Sequence, residues 1–122
     1  MDGLLLFAHG ARDPAWARPF EIVTERLRAE RPGTPLAMAY LEFMSPGMEE
    51  AAASLAAAGC TRVHVLPLFL GTGGHVRRDV PLLLDRLREQ HGSAVEWLLH
   101  APLGEQDTVL QAITEACLST LE

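Results

Sequence analysis

Val63-His64-Val65-Leu66-Pro67-Leu68-Phe69-Leu70 runs directly into Gly71-Thr72-Gly73-Gly74-His75-Val76-Arg77-Arg78-Asp79-Val80-Pro81. An apolar run of that length, with two valines at alternate positions, reads as a buried strand. The chain then breaks into a loop with three glycines, delivers one histidine and two arginines, and restarts as a helix. That helix is expected to settle from Asp79 or Val80, with Pro81 in its first turn. It continues through Leu83, Leu84 and Leu87 to Gln90, and His91-Gly92 closes it. Glycines let backbone approach a ligand closely, and a restarting helix directs free N–H groups at whatever sits there. A histidine at that place is a candidate ligand or proton carrier. The plainer reading is a connection whose His75 faces water.

Working outward, the same alternation repeats on both sides. Gly3 to Ala8 is a continuous apolar run ending at His9-Gly10, the pattern of a strand buried on both faces. Asp13-Pro14 reads as an N-cap and first helical residue, followed at helical spacing by Trp16, Phe20, Val23 and Leu27. Arg31-Pro32-Gly33 stops that helix. Leu36 to Leu41 is the second strand, ending at Glu42. Ser45-Pro46 repeats the cap-plus-proline start, with Met48, Ala52, Leu55 and Ala56 as the buried stripe and Gly59 as the stop. Val95 to Leu99 is a fourth strand. Val109, Leu110, Ile113, Cys117 and Leu121 are spaced for a last amphipathic helix.

The order βαβαβαβα implies right-handed crossovers and an α/β fold. Its expected form is a four-stranded parallel sheet with helices on both faces, as one domain spanning residues 1–122. In such sheets ligands bind beyond the carboxyl ends of the strands. His9 stands at that end of the first strand, Glu42 at that of the second, and His75 in the loop beyond the third. Three metal-competent side chains from successive strands are thus expected on one edge. His100, after the fourth strand, is a further candidate, set apart by the position of its strand. His64, inside the third strand, is expected to pack against a helix. His91, at a helix end, complements the dipole.

Composition narrows the function. The 122 residues suffice for one domain that buries roughly two thirds of its unfolded surface. A net charge of −6 argues against a nucleic-acid partner. No stretch reaches the length of a membrane span, and Leu4 to Ala8 is too short for a signal segment and lacks a basic flank, so a cytoplasmic location is expected. Cys60 and Cys117 fit no metal or redox spacing and are expected to be small buried apolar residues. Two histidines and a carboxylate on separate loops suit a metal in transit rather than a tightly kept structural ion, and they equally suit acid–base chemistry.

His9-Gly10-Ala11-Arg12-Asp13-Pro14, Leu41-Glu42-Phe43-Met44-Ser45-Pro46 and Pro67-Leu68-Phe69-Leu70 with Gly73-Gly74-His75-Val76-Arg77-Arg78-Asp79-Val80-Pro81 resemble, in order, three motifs of the small sirohydrochlorin cobalto/ferrochelatases. These are the short, single-lobe class II chelatases of CbiX type. The resemblance implies insertion of Co²⁺, Ni²⁺ or Fe²⁺ into sirohydrochlorin, within cobalamin or sirohaem-type tetrapyrrole biosynthesis. It places His9, His75 and Glu42 as the catalytic and metal-binding residues. Arg12, Arg77, Arg78 and the backbone at Gly73 and Gly74 are the candidates to receive substrate carboxylates. It implies no permanently bound cofactor, the metal being a substrate, and a homodimer whose two lobes share a cleft.

Three other readings compete. A doubly wound signalling or flavin module would call for an early acidic cluster or a Ser/Thr-rich phosphate loop after the first strand, and neither is present. A carrier of metal or tetrapyrrole would need the same ligands. A histidine phosphatase would also place His-Gly after its first strand, but it calls for an arginine directly before that histidine, where Ala8 stands.

Overall fold

Strand β1, Asp2–Ala8, is an inner strand, and its residues Leu5, Leu6, Phe7 and Ala8 are essentially inaccessible to solvent. The computed structural model describes residues 1–122, with the exception of the side chain of His75. β1 pairs in parallel with β2, Leu36–Tyr40, on one side and with β3, Arg62–Pro67, on the other. β4, Glu96–Leu99, adds in parallel beyond β3. The sheet order is therefore β2-β1-β3-β4. The chain moves outward from β1 in one direction and returns to build in the other. The gap between the carboxyl ends of β1 and β3 is thus the topological switch point, where such sheets open a crevice.

The expected α/β architecture is the one observed. α2, Met48–Ala57, and α3, Gly74–His91, cover the face formed by Leu5, Phe7, Val63, Val65 and Trp97. α1, Arg18–Glu30, follows a short 3₁₀ turn at Pro14–Ala17 that Asp13 caps through Ala15 N–H. This segment covers the opposite face over β1 and β2, where Trp16, Phe20 and Met38 pack on Ala8, Ala17 and Tyr40. α4, Asp107–Ser119, rests on the turn Leu103–Glu105 and has no buried residue.

Several local expectations are corrected. α3 starts at Gly74, not at Asp79 or Val80. Gly73, in an extended conformation, accepts a hydrogen bond from Arg77 N–H at 3.1 Å, and Val76 and Val80 extend the buried stripe of Leu84 and Leu87. His75 therefore belongs to the first turn of a helix, and Pro81 lies inside it. The Ser45–Pro46 peptide is cis and precedes α2, which is capped at Gly47. The Pro46 carbonyl is taken by Tyr40 N–H at 2.9 Å, which extends the β2 edge rather than opening a helix. In α1 the buried position is Thr24, whose hydroxyl satisfies itself on the Phe20 carbonyl, while Val23 is exposed. Cys60 is buried, and burial pushes its thiol pKa up; Cys117 is exposed on α4, against expectation. His64 lies part-exposed on the sheet, hydrogen-bonded to Asp2 and His100, rather than buried as a packed core residue.

Candidate active site

The site begins with a backbone constraint at Gly10. Its φ is +92°, a region that favours glycine, and a Cβ there would overlap the carbonyl oxygen of Glu42. The absence of a side chain lets the loops leaving β1 and β2 run side by side. They are tied by Leu41 N–H to the Ala8 carbonyl at 2.9 Å and by Glu42 N–H to the His9 carbonyl at 3.1 Å. The sheet ladder is in effect prolonged two residues past its strands, and the prolongation carries His9 and Glu42.

Their side chains meet. His9 Nε2 lies 2.9 Å from Glu42 Oε1, with both groups about half exposed. The imidazole is braced by Phe69, which meets it edge-on with ring centroids 6.4 Å apart and is itself packed edge-on against Phe7 at 5.8 Å. A carboxylate only accepts, so a neutral His9 paired in this way carries its proton on Nε2 and keeps Nδ1 as a free lone pair. In the other neutral tautomer, with the proton on Nδ1, Nε2 and Oε1 are adjacent electron-pair donors fit for a divalent transition ion. The arrangement can therefore orient a base or hold a metal.

The other residues named from sequence distribute around this pair. Arg12 lies with its guanidinium 4.6 Å from the ring centre of Phe43, in cation–π contact. Phe43 has φ +64° and an exposed ring. Gly73 and Gly74 form the cap and first position of α3, which starts beyond the carboxyl end of β3. Arg77 lines an open pocket of about 220 Å³, together with Phe69, Thr72, Val76, His100 and Glu105. Arg78 is exposed one residue further on. The backbone of His75 sits in the first turn of α3, and its side chain lies outside the described residues. The structure thus brings His9 and Glu42 together, with Arg12 three residues beyond His9 and Gly73, Gly74, Arg77 and Arg78 at the start of α3.

Sequence reasoning missed three contributors. Phe69 was read as strand and as part of a motif, with no role at the site, although it braces His9. Phe43, the platform for Arg12, gave no signal because its positive φ is invisible in the sequence. Gly10 could have been found: a glycine directly after a strand-terminal histidine marks a close backbone approach.

The model of the CbiX family matches residues 3–120 of this chain. The chain belongs to the CbiX family. Sirohydrochlorin cobaltochelatase of Saccharolobus islandicus is 31% identical, matched over 98% of the CbiX chain described here and 96% of the relative. Sirohydrochlorin ferrochelatase of Priestia megaterium is 27% identical, and there the match takes up 43% of the relative's length. Among solved structures, a putative cobalamin biosynthesis CbiX protein from Marinobacter aquaeolei superposes with a TM-score of 0.85 at 30% identity, covering 99% of this CbiX chain and 98% of the other. The sirohydrochlorin chelatase SirB of Bacillus subtilis, solved in complex with cobalt, shares the fold with a TM-score of 0.80 at 23% identity. This chain spans half of that one.

Proposed function

We propose that this chain is a sirohydrochlorin chelatase that inserts a divalent metal, Co²⁺ foremost and Ni²⁺ or Fe²⁺ as alternatives, into the macrocycle. The observation that carries the reading is the His9–Glu42 pair, held by the Gly10 apposition over the carboxyl ends of β1 and β2, next to the switch point of a CbiX-family sheet. The names borne by relatives of the same length support the same substrate class.

The chemistry asks for a ligand to hold a hydrated ion and for bases to take two pyrrole protons as the metal enters. His9, with Nδ1 left as a lone pair by its bond to Glu42, serves both needs, and a carboxylate on the far nitrogen fixes the ring's tautomer and orientation. His75 is proposed as the second base and ligand. Sirohydrochlorin is rich in carboxylates. Arg12, Arg77 and Arg78, with the backbone N–H groups at Gly73 and Gly74, are proposed to receive them. The chain's overall negative charge makes that attraction local rather than long-range.

A single lobe offers one wall of a cleft. We infer that a second copy supplies the other, in a homodimer. Support comes from α4, where Leu110, Ile113 and Leu118 are all exposed on a helix with no buried residue. A helix of that length is marginal in water without tertiary packing. The described residues hold no helix long and apolar enough to cross a membrane. A cytoplasmic location, and the unity of residues 1–122 as one functional lobe, belong to the same proposal.

The test is an anaerobic absorbance time course of sirohydrochlorin with catalytic protein and, in turn, Co²⁺, Ni²⁺ and Fe²⁺. Conversion beyond one equivalent that His9→Ala and His75→Ala abolish is the expected result, and it ranks the metals. Product limited to one equivalent would favour a carrier. No acceleration over the protein-free rate would remove the enzyme.

A further inference from the structure

A second cluster of histidines lies away from the His9–Glu42 pair. In the register of the sheet, Asp2 stands opposite Arg62, and Leu4 opposite His64, which in turn stands opposite Leu98. His64 and His100, two residues beyond Leu98, therefore share one sheet face, diagonal to each other on adjacent strands. This is the face whose β1–β2 half is covered by α1; over β3 and β4 the side chains of Leu66 and Leu98 are only half-buried, and that of His64 is 32% exposed.

The four polar side chains there form one continuous chain. Arg62 grips the Asp2 carboxylate with Nε at 3.2 Å and a terminal nitrogen at 3.0 Å. Asp2 Oδ2 also lies 3.0 Å from His64 Nε2. On its other side, His64 Nδ1 lies 2.8 Å from His100 Nε2. The guanidinium and the imidazole hold the Asp2 carboxyl below its ordinary range, so it is a carboxylate at neutral pH. A carboxylate accepts only, so neutral His64 carries its proton on Nε2 and presents Nδ1 as a lone pair. A carboxylate on the outer nitrogen of an imidazole whose inner nitrogen faces a second imidazole is the arrangement that orients metal-bound histidines.

We propose that His64 Nδ1 and His100 Nε2 form a second divalent-metal site, distinct from the His9 centre, that takes a borderline transition ion such as Co²⁺, Ni²⁺ or Zn²⁺. Imidazole nitrogen is a preferred donor for these ions. Two bonds of about 2.1 Å at a tetrahedral angle put the nitrogens about 3.4 Å apart. The pair at 2.8 Å must therefore open by roughly half an ångström, and His100, exposed at the end of β4, is free to supply the movement. No proton need leave the protein. His100 moves its proton from Nε2 to Nδ1, and both inner lone pairs then face the ion. Among the described residues no three histidine, cysteine or carboxylate groups stand in chelating geometry, so water completes the shell. Such an open site exchanges its ion readily. His100 also lines the pocket that Arg77 borders.

The test measures binding, not insertion, and so stands or falls separately from the chelatase reading. Equilibrium dialysis against Co²⁺ is run on the full chain as wild type, as His9→Ala/His75→Ala, and as that double variant with His100→Ala added, with circular dichroism confirming each fold. The double variant is expected to retain one Co²⁺ per chain, and the added His100→Ala to lose it. Because a variant could unfold, long-range ¹H–¹⁵N spectra of wild-type imidazoles are followed on adding Zn²⁺. Coordination shifts at His64 Nδ1 and His100 Nε2 are expected. Absence of cobalt from the folded double variant, or Zn²⁺ shifts confined to other histidines, would overturn the proposal.

Discussion

Replacing Gly10 by alanine tests the feature on which the site rests. Two costs can be worked from the structure. The backbone at φ +92° places an L-residue where its Cβ crowds the following carbonyl, about 1–2 kcal/mol. The new methyl also overlaps the Glu42 carbonyl oxygen, and the two loops must part by roughly an ångström to relieve it. That separation weakens the two backbone hydrogen bonds joining Ala8–His9 to Leu41–Glu42, at about 1 kcal/mol each. The expected loss is about 2–4 kcal/mol, or on the order of 10 °C in Tm for a chain of this size. Because the same separation pulls Glu42 from His9, metal insertion should fall further than the unfolded fraction accounts for. Urea titration gives the stability, and the sirohydrochlorin time course, at a temperature where the variant is folded, gives the activity. Gly33→Ala, where an added Cβ meets nothing within 4 Å, is the control and should shift the midpoint little. Gly10→Ala with control-like stability and full activity would refute the close-approach argument.

Other outcomes follow from single contacts. Glu42→Gln keeps the size and a hydrogen-bonding group but removes the charge behind His9, and should lower insertion on the order of 10–100-fold with an unchanged melting curve; an unchanged rate would reduce Glu42 to a bystander. The Asp2 pKa is depressed below 3.8 by Arg62 and then by His64, so this pairing favours the folded state above that pH and is lost as pH falls through the folded value. Asp2→Asn should therefore lie below wild type in Tm at neutral pH and converge with it in acid, and a gap that persists in acid would contradict the assignment. Ile113→Asp places a charge on the exposed stripe of α4 and should convert a sedimenting dimer to monomer; a wild type that is monomeric and fully active would dispose of the shared cleft.

The fold was legible because the sheet is parallel and buried. Gly3 to Ala8 has to be apolar on both faces, and Ala51, Ala52 and Leu55 have to be small or apolar where α2 meets the strands, so periodicity carried the information. Boundaries were less legible where two signals conflicted. Pro81 argued for a late start to α3, yet Gly73 as cap and the Val76–Val80–Leu84 stripe outweigh one missing backbone N–H. Ser45-Pro46 looked like a helix start because sequence does not reveal that the Pro46 carbonyl is already claimed by Tyr40. The spacing of α4 was read correctly as amphipathic, but the expected burial did not follow, since periodicity states that a face wants cover and not which surface supplies it.

The site divides along the same line. Topology alone predicts that the ends of β1 and β2 are neighbours, so the convergence of His9 and Glu42 could be derived before any coordinates. What topology cannot give is register beyond the strands. Whether His9 and Glu42 are one hydrogen bond apart or a residue out of step depends on the Gly10 apposition, a contact between main chains. The His64–His100 pair illustrates the converse. Inside an apolar run, a histidine reads as core because the run does not disclose which half of a sheet face lacks a helix. Once β4 is aligned with β3, the same residue stands part-exposed on the sheet between a carboxylate and a second imidazole. An imidazole in that setting answers to electrostatics and metal chemistry rather than to packing.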